Sequence, residues 1–490
     1  MASLRNVILT LAALAVVWGC TRTEVSSAPR VKNGASPSTP APAAKLDLSR
    51  MPTVSKIDWS AFPDPSRFKV GRKIILQPGK IGVIAKALMG ARSGDTILLP
   101  GGTYREGQDG DHRALPILRD GISIRAMPGQ RARIVPRSGE VTYGLMIQAS
   151  NILLEGLTID GFASVGIAME KEGQTLKNIV MLDLQLKAPA DGKWHDGIVV
   201  YHDNRRAGRP ASDGLLLRKV TVENASLGIS CNSGPCVNWR LDEVTVTGRG
   251  GDGSGADAIA VEEGRNMVFY HVHVSGMAAD GIDLKAKNVL VMGCYVHNLA
   301  RNGVKLWHGG DIVNTVIHHT GADAAIVFEH AGHYRILNSV MAFHNYPGPS
   351  SYNLTASYDA HEKLKVELIN SIFYNTSGGM YFQDGTSVSV KNCLFHGMKN
   401  GDLLRAQVRG QEVELTRETG AAAFKKRGIG SGVILADPQF VNPAKGDFRL
   451  KRSSPAVNKG VMVPQMPPVD IAGGPRVKGG APDIGALESW

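Results

Sequence analysis

Residues 280–285 read Asp-Gly-Ile-Asp-Leu-Lys, and near copies stand on either side: Asp257-Ala258-Ile259-Ala260-Val261-Glu262 before, Asn302-Gly303-Val304-Lys305-Leu306-Trp307 after. In each copy a polar turn residue is followed by Gly or Ala and then by apolar residues at alternate positions, the pattern of a short strand with one face turned inward. Further copies centred on Gly144, Gly166, Gly197, Gly228 and Ala324 extend the series, at intervals of 21 to 31 residues. A second series, placed later in each repeat, opens with Asn288, Asn314, Asn338, Asn370 and Asn392. One such repeat cannot bury its own apolar face. Stacked at a strand spacing of about 4.8 Å, successive repeats bury a continuous core, so the spacing predicts an all-β parallel solenoid. The 30- and 31-residue intervals mark loops that leave the turns.

The flanks of the repeat carry a family likeness. Residues 81–107, with Gly94-Asp95-Thr96-Ile97-Leu98-Leu99-Pro100 and Tyr104 at their centre, resemble the opening of right-handed parallel β-helix proteins of the pectin-lyase-like superfamily. Asp437-Pro438-Gln439-Phe440, Gly446-Asp447-Phe448, Ser454-Pro455-Ala456 and Pro482-Asp483-Ile484-Gly485 resemble the closing segment of its secreted bacterial members. The likeness implies a right-handed parallel β-helix with a short N-terminal capping helix and a C-terminal cap. The β-helix domain is expected over 61–490, with core coils from about 95 to 400 and the cap from about 400 to 490.

Residues 1–19 carry Arg5 and then an apolar run from Val7 to Trp18, too short for an ordinary membrane-spanning helix and typical of an export signal. Val17-Trp18-Gly19-Cys20 resembles the lipobox of bacterial lipoproteins, which implies lipidation of Cys20 and, with Thr21 next, sorting to the outer membrane. Residues 20–60 read as a flexible tether rich in Ser, Pro and Ala. Export removes nucleic acid as a partner and leaves membrane contact through the lipid alone; a monomer is expected. Cys231 and Cys236 enclose a turn tetrapeptide and suit a short disulfide in an oxidising compartment. The formal net charge of +11 does not belong to the coils, since residues 151–398 hold 20 basic and 25 acidic residues.

Chemistry is expected where alternate residues of the first strand point outward. With Ile282 and Leu284 inward, Asp283 and Lys285 face out, and Glu262, Lys305 and Trp307 stand beside them on adjacent coils, with Asp257, Asp280 and Asn302 at the preceding turn. Ala279-Asp280-Gly281-Ile282-Asp283 resembles the core of family-nine pectate lyases, which implies a calcium ligand at Asp280; Asn302 and Lys305 depart from that family's further Asp residues. The Lys285 and Lys305 pair resembles the Lys and Arg of family-six alginate and chondroitin lyases. Elimination on a uronate removes the C5 proton after a cation has neutralised the neighbouring carboxylate. Asp257, Glu262, Asp280 and Asp283 supply oxygens of the kind Ca²⁺ takes. Lys285 is then the expected base, Lys305 the partner of the substrate carboxylate, and Trp307, Tyr201, His202 and Asn302 the substrate contacts. His195 and His202 lie in a long rung whose loops border the groove, and His297, His318, His344 and His396 follow one strand in successive rungs. The expected function is a calcium-assisted lyase of an acidic polysaccharide. Three others remain open: a non-catalytic glycan-binding scaffold, a C5-epimerase, or a glycoside hydrolase working through Asp257 and Asp280.

Overall fold

The computed structural model describes residues 47–489 apart from 51–52, 54, 108–111, 140, 192, 202–208, 233, 251–255, 322–323, 345–351, 357–362 and 409–410. The strands of the coils stack in parallel register, as the sequence predicts, from β1 (Lys73–Ile75) against β2 (Thr96–Leu99) onward. Six later strands carry the site: β3 (Asp196–Val200), β4 (Leu227–Cys231), β5 (Ile259–Tyr270), β6 (Ile282–Met292), β7 (Val304–His308) and β8 (Ala324–Phe328). Each pairs in parallel with the next, so Ile198, Ile229, Ile259, Ile282, Val304 and Ile326 form one inward column. All six side chains are fully buried, and each such burial is worth at most about 1.5–3 kcal/mol.

The corners explain the Asn series. Asn314, Asn338, Asn370 and Asn392 follow one another at a single corner, with φ between 47° and 50°. Asn adopts this left-handed conformation at little cost because its amide bonds locally. At that corner Asn370 Nδ2 also donates to Asn338 Oδ1 at 3.1 Å, which links the coils. Gly293 fills the position before Asn314, but earlier coils place Lys219, Glu243 and His271 there in the same left-handed conformation, at φ 55°, 55° and 52°.

Both ends of the stack are covered, which removes exposed strand edges. Helix α1 (Val83–Gly90) turns Ile84 and Leu88 onto the first coil, and the buried Glu106 carboxylate accepts the Ile84 and Ala85 N–H groups at 2.9 and 3.2 Å. Those donors would otherwise be unsatisfied at the helix start. Helix α2 (Ala422–Lys426) places buried Phe424 against Phe395, which stacks on Phe373 at 4.7 Å. Parallel pairing extends to Leu435, beyond the expected limit of 400.

Two segments cover outer faces of the coils. Leu48, Ile57, Trp59 and Phe62 pack on Val268, Leu290, Val313 and Leu337, and the Ser55 N–H donates to Asp311 Oδ2 at 3.1 Å. The tether expected over 20–60 is thus shorter, because its last residues are a strap bound to the coils. Phe440, Phe448, Leu450 and Ile484 of the C-terminal cap cover Val316, Val340, Ile372 and Leu394. The remaining outer face belongs to the first strand of each coil, where Asp283 and Lys305 stand. The Cys231–Cys236 disulfide is formed, and Cys294 and Cys393 are buried free thiols. Residues 1–46, with the expected signal and Cys20, lie outside the described residues.

Candidate functional site

The site follows from the register. Ala260, Asp283, Lys305 and Val327 form one outward column, so an acid and a cation are direct neighbours on adjacent coils between a small and an apolar residue. At the turn before each strand a polar ladder sets the spacing. Asp257 Oδ1 accepts the Asp280 N–H at 2.9 Å, and Asp280 Oδ1 accepts both the Asn302 N–H and its Nδ2 at 3.0 Å. Asn302 Oδ1 then accepts the Ala324 N–H at 3.0 Å. Asn302, expected to touch substrate, is instead 1% exposed and bonded on both sides, so its role is to join the coils.

Ligand oxygens of Asp257, Asp280 and Asp283 lie within 4.8 Å of one another. Lys305 Nζ stands 3.7 Å from Asp280 Oδ2, 3.5 Å from Asp283 Oδ2 and 3.9 Å from Glu329 Oε1. Arg301 Nε is 3.8 Å from Asp280 Oδ1. The Trp307 indole N–H donates to Asp283 Oδ1 at 2.7 Å, and its ring lies 4.9 Å from Lys285 Nζ and 5.4 Å from Lys305 Nζ. Glu262 pairs with Lys285 and so stands apart from the three-carboxylate cluster it was expected to join.

Burial and neighbouring charge set the protonation. Burial, and then the negative charge of Asp280, push the Asp257 carboxyl up to about 7. Burial also raises Asp283, although Lys305 and the Trp307 N–H pull it back. Burial alone would lower Lys305, but Asp283, Asp280 and Glu329 outweigh it and the group is raised, which fixes it as a cation. Buried carboxylates that crowd one another favour a bound cation over a second ionised acid. The donor set is all oxygen and fits a hard ion such as Ca²⁺, with one oxygen each from Asp257, Asp280 and Asp283 and the rest of the shell from water or substrate.

Other expected residues fall elsewhere. Tyr201 lies three coils from Lys285, and His202 is outside the described residues. His195 is 1% exposed, with Nε2 at 2.6 Å from Asp191 Oδ1, and so does not face the groove. His297 and His318 do share one strand position and stack at 4.8 Å, but the next coil puts Ala342 there and His344 lies two residues on. Glu329 and Arg301 were missed. Glu329 directly follows the last residue of β8 and continues the column of Trp307, so extending the repeat by one residue would have found it.

Residues 144–341 match the family model described as "Right handed beta helix region". No curated protein matches this sequence. Among solved structures, the chain is similar to pectate lyase Pel9A at 13% identity, with 87% of this chain and 98% of that one covered and a TM-score of 0.40. The mannuronan C-5 epimerase AlgE6 A-module of Azotobacter vinelandii aligns at 15% identity over 73% and 94% of the two chains, with a TM-score of 0.45. A PL6 alginate lyase in complex with a trisaccharide aligns at 13% identity over 79% and 99%, with a TM-score of 0.39. The stacked parallel coils and the matched family model together identify the chain as a right-handed parallel β-helix protein.

Proposed function

We propose that this protein cleaves an acidic polysaccharide by β-elimination, as a calcium-assisted uronate lyase working in the cell envelope. The observation that carries this is the cation-and-carboxylate cluster on the outer face that neither the strap nor the cap covers. Likeness of fold carries no chemistry with it; the residues supply the reasons.

Elimination breaks the C5–H bond, forms the C4–C5 double bond and breaks the bond from C4 to the glycosidic oxygen. The C5 proton is acidic only when the attached carboxylate is neutralised. Lys305, a held cation, supplies part of that charge from the chain itself. Ca²⁺ held by Asp257, Asp280 and Asp283 would supply the rest by the same electrostatic means. Lys285 is the less enclosed lysine, with 28% of its side chain exposed against 14% for Lys305, and it is the base. Paired with Glu262 and beside the Trp307 ring, Lys285 is the amine placed to take the C5 proton. Trp307, tied to Asp283, offers its ring face to a sugar. The likeness of residues 1–20 to an export signal with a lipobox supports an outer-membrane location for this activity.

The test is the ultraviolet absorbance of unsaturated uronate after incubation with alginate, polygalacturonate and glycosaminoglycans. Product is expected from one of these, reduced by chelator, restored by Ca²⁺, and lost in Lys285→Ala. Binding without product from any of them would favour the scaffold reading and overturn this one.

A further inference from the structure

The coil of β3 repeats the plan of β6 with aromatic groups in the charged places. Asp196-Gly197-Ile198 opens β3 as Asp280-Gly281-Ile282 opens β6. By register Val199 takes the place of Asp283, through Ser230 and Ala260. Tyr201, five residues after its Asp as Lys285 is after Asp280, takes the place of Lys285.

Asp196 holds two rings at once. The Trp194 indole N–H donates to its Oδ1 at 2.7 Å, and the Tyr201 hydroxyl donates to its Oδ2 at 3.2 Å. Trp194 is nevertheless 54% exposed and Tyr201 36% exposed, above a fully buried Val199. Large rings fixed by hydrogen bonds yet left partly facing water lose side-chain entropy while hiding only part of their apolar surface. A partner with flat apolar faces recovers that cost, and rings already held in place lose less freedom when it binds. Three strand steps separate β3 from β6, about 14 Å at the usual strand spacing, which a few pyranose units of an extended polysaccharide span.

We propose that Trp194 and Tyr201 form a sugar-stacking subsite that binds a ring of the polysaccharide a few units away from the Lys285 and Lys305 centre and so sets the chain length the protein prefers. This rests on the polysaccharide reading above for its occupant. The contact is made by ring faces, because both polar tips are turned to Asp196.

The test uses graded oligogalacturonates and oligoalginates, from disaccharide to octasaccharide, with affinity measured by calorimetry and kcat/KM wherever product forms. For the wild type, affinity is expected to step up once the oligomer reaches both places. Trp194→Ala and Tyr201→Ala should each reduce the ratio of long- to short-oligomer affinity by roughly tenfold. Tyr201→Phe, which keeps the ring, should retain most of the step and controls for loss of folding. An unchanged length dependence in both alanine variants, or no step in the wild type, would overturn the subsite. If no oligomer yields unsaturated product, elimination fails, while the affinity step and its loss in Trp194→Ala still decide the subsite.

Discussion

Lys305 and Lys285 lie 20 residues apart in sequence, one coil apart in space, and the groups around them assign them different work. Three carboxylates at 3.5–3.9 Å hold Lys305 charged, whereas Lys285 pairs with Glu262 and lies beside an aromatic ring. Replacing Lys305 with Met leaves Asp283 buried without its cation. Product formation is then expected to fall by about 100-fold, and steady-state rates on the preferred polysaccharide check this. Asp257 gives a prediction with a definite sign. Its carboxyl, ordinarily at 3.8, is held at about 7, so the folded protein binds that proton more tightly than the unfolded chain. Its contribution to stability is therefore full below about 3.8 and is lost as the pH rises to about 7. In chelator, the melting temperature of Asp257→Asn should gain on the wild type across this window, and Ca²⁺ should stabilise the wild type most above it. A difference that shrinks as the pH rises would contradict the burial argument. Asp283 was legible in the sequence because alternation assigns its side, and Asp257 and Asp280 because the repeat sets them at the turn before each strand. The binding of Asn302 into the ladder was not legible, since an exposed and a buried Asn at a turn read alike.

At the scale of elements, the corner that carries Asn314, Asn338, Asn370 and Asn392 shows how far composition goes. Asn and Gly at these corners were readable because their left-handed preference is intrinsic. Lys219, Glu243 and His271 adopt the same conformation without such a preference, because the stacked strands on either side leave no other path. The histidine column has its own consequence. His297 Nε2 lies 2.8 Å from His273 Nε2, its ring stacks on His318, and His318 Nδ1 is 2.6 Å from His319 Nδ1. Burial, followed by the charge of His273 and His319, lowers His297 from 6.5 to about 4. Here the unfolded chain binds the proton more tightly, so the stability contribution is full above 6.5 and is lost as the pH falls toward 4. His297→Gln should flatten the acid limb of the melting-temperature profile, and an unchanged limb would show that the column does not titrate on unfolding. Asp257 and His297 change with opposite signs over nearly the same pH window, so between about 4 and 6.5 their contributions to stability largely offset each other.

The whole molecule is a stack with different cover on its sides. The strap hides one outer face and the C-terminal cap another, so chemistry is left to the first-strand face. Deleting residues 47–62 should expose Val268, Leu290 and Val313, lower the melting temperature and increase binding of an apolar dye, while the stacking of the coils persists in circular dichroism. The repeat made the stack legible from sequence. The strap was not legible, because Leu48, Ile57, Trp59 and Phe62 follow the spacing of the surface they cover and have no period of their own. Charge follows the same division, with excess base outside residues 151–398 and excess acid within them, which favours a site that recruits a cation. The central claim is bond cleavage by elimination, and the masses of the products from a defined oligouronate test it most directly. Elimination gives two fragments whose masses sum to that of the substrate, the new non-reducing end carrying the double bond. Fragments that together weigh one water more would mean hydrolysis, an intact chain with exchanged C5 hydrogen would mean epimerisation, and either result would contradict it.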